Sequence, residues 1–184
     1  AKEGILIKDA ATLEKLHKVN TVVVDKTGTI TKGKPTLVDI QNISNLKDDE
    51  LVSILASLER KSEHPIAHAI VNYAQEKNIP LSDISDFEGI QGKGLKGTIK
   101  GIEYFVGNAK LINDLKISFD VGKLNEFTSQ GKTPVILATK DSALGFVMVA
   151  DEIKPESKQA VADLHKLGIK VVMRTGDDEK AAKY

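Results

Sequence analysis

The sequence has 184 residues, of which 41% are hydrophobic and 28% are charged, and its 26 basic residues balance its 26 acidic ones. This composition is that of a globular protein with a sizeable core, and the zero net charge argues against a nucleic-acid partner. The lack of cysteine excludes disulfides and thiolate metal sites. Because no apolar run approaches about 18 residues and no signal peptide is evident, we expect a soluble chain or a soluble piece of a larger protein.

Two distant segments predict the two halves of one parallel sheet. The β-branched run 22–24 stops at a polar cluster that begins with Asp25, as expected for a buried parallel strand with a site at its carboxyl edge. Much later, Pro155 opens a helical pattern that Gly168 ends, and a second apolar run, 171–173, leads into polar residues. These halves predict an α/β unit.

The residues between these halves follow an α+β pattern. The predicted elements are helices over 51–58 and 66–73, glycine-broken strands over 86–107, a helix over 120–130, and strands over 134–138 and 143–149 around a turn. We therefore expect one domain formed by residues 1–33 and 151–184, with a second domain, 34–150, inserted into it.

The segment Asp25-Lys26-Thr27-Gly28-Thr29 is the first that could carry chemistry. A carboxylate at a strand end can attack phosphorus and form an acyl phosphate, while Lys26 and backbone N–H groups offset the phosphate charge. A solvated turn is the alternative, because Asp, Thr and Gly are common turn residues. The longer string 25–31 is identical to the phosphorylation motif of P-type ATPases. The chain thus resembles that family, which has a haloacid dehalogenase-like fold.

This resemblance implies a Rossmann-type phosphorylation domain in which Asp25 is the catalytic nucleophile. It also implies that Lys26 and Thr27 contact the phosphate and that Asp25 and Thr27 hold Mg²⁺. Phosphatases of the same fold often carry a second Asp two residues after the nucleophile, where this chain has Thr27. Since a hydroxyl cannot easily activate water, we expect a long-lived phosphoenzyme. A free-standing phosphatase of this fold is the alternative.

Thr175-Gly176-Asp177 resembles the second phosphate-binding motif of the same family. The resemblance implies that the hydroxyl of Thr175 and the following backbone N–H hold phosphoryl oxygens. The family often has Asn at the next position, where this chain has Asp178. The triplet alone is equally compatible with a helix N-cap.

Ser62-Glu63-His64-Pro65 opens the second central helix with a polar cap and a proline at the first helical position. The tetrapeptide also resembles a signature of heavy-metal P-type ATPases. That resemblance implies that His64, with Ser62 beside it, binds the adenine end of ATP and that Glu59 is an acidic nucleotide contact. His64 and His68 also have the i, i+4 spacing of a metal-binding pair, although no third ligand is evident nearby.

The glycine-dense segment 89–97 contains Gly92-x-Gly94, which lets a backbone approach a ligand closely. It is not the dinucleotide fingerprint, because no long helix follows, and a hairpin turn is a compatible interpretation. The heavy-metal subgroup has a Gly-x-Gly in its ATP pocket. The segment 106–108 matches another of its motifs, which implies nucleotide contacts from Gly107 and Asn108, the latter also as a helix cap.

In this order the motifs resemble the P1B-type, heavy-metal P-type ATPases over nearly the whole chain, most closely the copper-exporting branch, with zinc, cadmium or cobalt exporters as alternatives. The resemblance implies ATP and Mg²⁺ as ligand and cofactor, the rest of a membrane pump as partner, and a place at the cytoplasmic face of the membrane. The transported metal would not bind here.

The third phosphate motif of the family is absent from the sequence. We therefore expect an incomplete phosphorylation domain beside an α+β nucleotide-binding domain built on an antiparallel sheet. A non-catalytic ATP-binding module is the alternative for this stretch of chain. The segment 151–155 resembles the hinge by which the chain returns from the nucleotide-binding domain, and we assign it no chemistry.

Overall fold

The computed structural model describes residues 6–7, 9–119 and 121–174. The elements in chain order are α1 (Ala10–Leu16), β1 (Thr21–Asp25), β2 (Thr31–Asn42), α2 (Asp48–Glu59), α3 (Pro65–Glu76), β3 (Ser85–Ile90), β4 (Gly94–Ile99), β5 (Ile102–Gly107), α4 (Ala109–Asp114), α5 (Val121–Thr128), β6 (Thr133–Ala138), β7 (Ala143–Ile153), α6 (Pro155–Lys166) and β8 (Lys170–Arg174). No helix among the described residues is long and apolar enough to cross a bilayer.

Strands β1 and β8 form a parallel pair, as the two apolar runs predict, with Asp25 in register with Arg174. Helix α6 begins with Pro155 and is followed by Gly168 at φ +74°, so both predicted helix boundaries are confirmed. The prediction of a buried strand is wrong for the described residues, since Val23 is 64% exposed. The reason is that within the described part of the chain each of these strands pairs only with the other.

The remaining strands form one six-stranded antiparallel sheet in the order β2-β7-β6-β5-β4-β3, which confirms the predicted α+β architecture. Helices α2 and α3 cover one face, where Leu55 and Ile70 are fully buried against strand residues. The opposite face packs around Phe146, whose ring lies edge-on to Phe119 at 5.6 Å and to Phe127 at 6.2 Å between ring centroids. The sheet is therefore covered on both faces by apolar side chains.

Strands β2 and β7 connect the two sheets. They pair from Thr31↔Ile153 to Asn42↔Gly145, with an irregularity between Thr31 and Pro35 where Gly33 has φ +70°. The predicted domain boundaries at 33/34 and 150/151 lie inside these strands, next to the irregular pairing. The division into two domains stays a prediction, and the ribbon of β2 and β7 is the segment that would join them.

Candidate functional site

One cavity of about 410 Å³ collects every residue predicted to bind nucleotide. These residues are Glu59, Ser62, His64, Gly92, Gly94, Gly107 and Asn108. The sequence analysis missed the rest of the wall, which consists of Ile66, Ala67, Ile90, Lys93, Leu95, Thr133, Pro134 and Val135. Ile90, Lys93 and Leu95 lie in the glycine-dense segment 89–97, but the other five residues belong to no motif that could have identified them. The cavity joins a mostly apolar wall to a few polar groups, as small-molecule sites do.

Cavity volume alone does not identify this site. A cavity of about 490 Å³ lies between α2 and the β4–β5 hairpin, and one of about 550 Å³ lies between β2 and α3. Neither contains any of the predicted site residues. The chemistry of the lining therefore carries the assignment to the 410 Å³ cavity.

Glu59, the last residue of α2, is the most unusual group in the cavity. It is only 8% exposed, and burial raises the pKa of its carboxyl from 4.5 to about 7. Desolvation is the only cause of this shift, so no donor among the described residues offsets the charge of the carboxyl. No side-chain oxygen of the described residues is both fully buried and unsatisfied, so the carboxyl oxygens still face the cavity. A desolvated carboxyl with free lone pairs is poised to accept hydrogen bonds from a ligand that enters the cavity.

Backbone contacts at the start of α3 orient His64. The N–H of Ser62 donates to the carbonyl of Glu59 at 2.8 Å, and the N–H of His64 donates to Ser62 Oγ at 3.3 Å. His64 Nδ1 then accepts from the N–H of Ile66 at 3.2 Å and caps the helix. Because Nδ1 is the acceptor, the neutral ring carries its proton on Nε2, which leaves that nitrogen as a donor.

The alternative of a metal pair at His64 and His68 gains no support. Nε2 of His68 lies 4.0 Å from Oε2 of Glu63, and Nδ1 of His64 is already a helix cap. Among the residues the structure describes, no group of three or more His, Cys, Asp or Glu side chains could hold a metal ion.

Asn108 organises the opposite side of the cavity. Its Oδ1 accepts from the N–H of Lys110 at 3.0 Å and of Leu111 at 3.3 Å, which caps α4. Its Nδ2 donates to the carbonyl of Gly92 at 3.1 Å. The residue is thus a helix cap, as predicted, and it also fixes the glycine-rich turn against the cavity.

Glycine is favoured at three positions of the cavity for different structural reasons. A Cβ on Gly94 would lie 2.0 Å from the carbonyl oxygen of Val106, and one on Gly107 would lie 2.2 Å from that of Lys93. Close pairing of β4 with β5 therefore requires both glycines, whether or not a ligand is bound. Gly92 has open space around it but a φ of +68°, so only the turn conformation favours glycine there.

Asp25 ends β1 as an exposed side chain, and a tight turn follows it. The dihedral angles of Thr27 (φ −76°, ψ 123°) and Gly28 (φ 76°, ψ −16°) are those of a type II turn, which favours glycine at the second central position. The N–H of Thr31 donates to the carbonyl of Lys26 and closes the loop. Lys26 and Thr27 thus follow the carboxylate directly, as the motif predicts.

Sequence reasoning missed three residues that hold this loop. Thr31 is 2% exposed, and its hydroxyl accepts from the N–H of Gly28 at 3.2 Å and donates to Oδ2 of Asp151 at 2.5 Å. Lys154 Nζ donates to the carbonyl of Gly28 at 2.8 Å. The predicted hinge, to which we assigned no chemistry, therefore contacts the loop directly. The remaining predicted phosphate contacts, Thr175, Gly176 and Asp177, lie outside the described residues.

Comparison with known proteins places the chain in a family. The sequence model of the haloacid dehalogenase-like hydrolases matches residues 19–184. A copper-exporting P-type ATPase from Staphylococcus saprophyticus is 45% identical over 187 aligned residues, which cover 100% of this chain and 23% of that protein. A cadmium-transporting ATPase from Staphylococcus aureus is 42% identical over 190, covering 99% of this chain and 26% of that protein.

A solved structure agrees with these relatives. The crystal structure of a zinc-transporting PIB-type ATPase in its E2.Pi state matches with a TM-score of 0.81 and 33% identity, over 98% of this chain and 30% of that one. The chain spans about a quarter of the length of the curated relatives it matches. The chain belongs to the haloacid dehalogenase-like hydrolase family, and the relatives it matches in that family are heavy-metal P-type ATPases.

Proposed function

We propose that this chain is the ATP-binding and phosphoryl-accepting part of a heavy-metal-transporting P-type ATPase. The observation that carries the proposal is the single cavity that gathers the predicted nucleotide residues around the unpaired carboxyl of Glu59. An adenine base would fit the apolar wall of this cavity. Its exocyclic amino group would donate to Glu59, and Nε2 of His64 would donate to a ring nitrogen or a ribose oxygen.

The phosphoryl group would be accepted by Asp25. In the reaction an oxygen of the carboxylate bonds to the γ-phosphorus, the bond from that phosphorus to the bridging oxygen breaks, and ADP leaves. Lys26 and the backbone N–H groups of the turn would offset the charge of the phosphoryl oxygens. The hydroxyl of Thr175 and the backbone N–H groups of Gly176 and Asp177 would donate hydrogen bonds to the same oxygens. The exposed position of Asp25 at a strand end supports this role, because the substrate can reach it.

The donor set beside Asp25 fits a magnesium ion. Mg²⁺ prefers oxygen ligands and is commonly held by one or two carboxylates together with substrate phosphates and waters. Asp25 would supply the carboxylate ligand, and Thr27, two residues later, would supply a second oxygen ligand. When bound, the ion would neutralise charge that develops on the transferred group.

The names of the relatives support a transported heavy metal, with copper as our first choice. Copper is named for the Staphylococcus saprophyticus relative, cadmium for the Staphylococcus aureus one and zinc for the solved structure. We assign the metal-binding step to a part of the pump other than this chain. The chain would then work at the cytoplasmic face of a membrane, with the rest of the pump as its partner.

Two measurements test the proposal. NMR titration of this chain with ATP should move the resonances of His64, Gly92 and Asn108 first. In the full-length gene product, γ-labelled ATP should yield acid-stable, hydroxylamine-labile label that disappears in Asp25→Asn, while ATP binding persists because the amide is nearly isosteric. Label that survives in Asp25→Asn would show that another residue carries the phosphoryl group.

The same assays separate the two alternatives. A free-standing phosphatase would turn over aryl phosphate without ATP, and Thr27 at the position of the usual acid–base Asp argues against it. A non-catalytic ATP-binding module would show the NMR shifts in the cavity and no label on Asp25 in the full-length gene product. Absence of shifts at His64 and Gly92 would remove the nucleotide assignment altogether.

A further inference from the structure

Gly28, at the centre of the turn after Asp25, is held on both of its backbone polar groups. Its N–H donates to Thr31 Oγ1 at 3.2 Å, and its carbonyl accepts from Lys154 Nζ at 2.8 Å. The Cα of Gly28 also lies against Gly33, where an added Cβ would be 3.2 Å away from it. A turn fixed at these points leaves little freedom for the peptide that carries Asp25.

Lys154, which directly follows β7, supplies one of these restraints, and Asp151 near the end of β7 supports another by holding Thr31. Asp151 accepts from the hydroxyl of Thr31 and, through Oδ1, from the N–H of Lys34 at 3.1 Å. Lys154 contributes a second contact, since its N–H donates to the carbonyl of Ile30 at 3.0 Å. The segment 151–154 therefore contacts the loop through side chains and through the backbone.

Lys154 differs from an ordinary surface lysine. Neighbouring Lys32 forms a 2.6 Å ion pair with Glu152 in which both side chains are largely exposed, a type of pair that adds little stability. Lys154 is half-buried, and among the described residues no carboxylate lies within ion-pair distance of its ammonium. Its charge is directed to a single backbone carbonyl, and charge-assisted hydrogen bonds are stronger than neutral ones.

We propose that Lys154 is a positioning residue for phosphoryl transfer to Asp25, acting through the carbonyl of Gly28; the proposal rests on the function proposed above. Lys154 would keep the turn, and with it the carboxylate of Asp25, in the orientation that in-line attack on the γ-phosphorus requires. Reaction rates respond steeply to such orientation, because a displacement of about 1 Å can slow a reaction about 100-fold.

The kinetic test uses the full-length gene product and the rate of phosphoenzyme formation from γ-labelled ATP. Lys154→Met keeps most of the aliphatic stem and removes the donor, whereas Lys154→Arg keeps a donor. We expect Lys154→Met to slow phosphorylation about 10- to 100-fold with unchanged ATP affinity, and Lys154→Arg to restore most of the rate. Lys158→Met, at an exposed position of α6, the helix that follows Lys154, is the matched control and should behave like the wild type.

A spectroscopic test needs no activity. In the chain described here, the ¹³C carbonyl resonance of Gly28 should shift in Lys154→Met and return towards the wild-type value in Lys154→Arg. An unshifted resonance in Lys154→Met would overturn the contact on which the proposal stands. Loss of folding in Lys154→Met that Arg does not rescue would also count against a positioning role.

The outcomes distinguish this proposal from the proposed function. If Lys154→Met forms phosphoenzyme as fast as the wild type, the positioning role is overturned and the proposed function of Asp25 is unaffected. A wild-type protein that forms no phosphoenzyme overturns the proposed function, and the positioning role with it.

Discussion

Replacing Glu59 by Gln should stabilise the folded chain above neutral pH and leave its stability almost unchanged in acid. Burial raises the pKa of this carboxyl from 4.5 to about 7, and desolvation is the only cause of the shift, so no donor among the described residues offsets its charge. At about 1.36 kcal/mol for each pH unit between the two pKa values, ionising the buried group costs about 3 kcal/mol of folding free energy.

The direction in which stability changes with pH depends on which state, folded or unfolded, binds the proton more tightly. The folded state has the higher pKa, so the carboxyl is neutral in both states below about pH 4.5 and its burial then carries no ionic penalty. As the pH rises through about 7, the folded carboxyl also ionises and the penalty becomes complete. The stability contributed by the neutral form is therefore present in acid and lost on the alkaline side.

Urea unfolding followed by circular dichroism measures this effect. Relative to Glu59→Gln, the wild-type chain should lose about 3 kcal/mol of unfolding free energy between about pH 4.5 and about pH 8. Glu126→Gln, at an exposed position on α5, is the control and should produce the same small change at both pH values. If the difference between wild type and Glu59→Gln is equal at the two pH values, the carboxyl does not ionise in a desolvated site and the reasoning fails.

Three further predictions concern the cavity. Adenosine should bind the wild type more tightly as the pH rises through about 7 and bind Glu59→Gln without this dependence in calorimetric titrations, because the ionised carboxyl is the better acceptor. Asn108→Ala should lose about 1 kcal/mol of stability and weaken ATP binding, whereas Asn108→Asp should keep the cap and lose only the donor to Gly92. Gly94→Ala should unfold at lower urea than Gly92→Ala, whose left-handed φ costs only about 1 kcal/mol; the reverse order would refute the strand-pairing argument.

Most of the fold could be predicted from the sequence because its signals are local. The helical spacing around Leu55 and Ile70 and the punctuation at Pro155 and Gly168 depend on residues a few positions apart, and the structure confirms those elements. Burial of β1 could not be predicted in the same way. A run of three valines indicates a strand, but its exposure depends on which other strands lie beside it, and that depends on distant parts of the chain.

The candidate site shows the same contrast between local signals and long-range contacts. The predicted cavity residues belong to short motifs between Glu59 and Asn108, so the motifs could single them out before the fold was known, whereas Thr133, Pro134 and Val135 belong to no motif. The reason for each glycine could not be read from a motif, because strand pairing and ligand approach favour glycine equally. Lys154 escaped notice because its partner, Gly28, is 126 positions away and a hinge motif gives no hint of the contact.

The ribbon of β2 and β7 could transmit a movement of the six-stranded sheet to the contact between Lys154 and Gly28. The same two strands belong to the sheet that lines the 410 Å³ cavity, and Thr31, the first residue of β2, bonds to Asp151 in β7 beside the loop of Asp25. Gly33 interrupts the regular pairing at this point, so a reorientation of the six-stranded sheet would bend the ribbon there. Because Gly33 packs on Gly28, and the carbonyl of Gly28 accepts from Lys154, such a bend would act on the turn that follows Asp25.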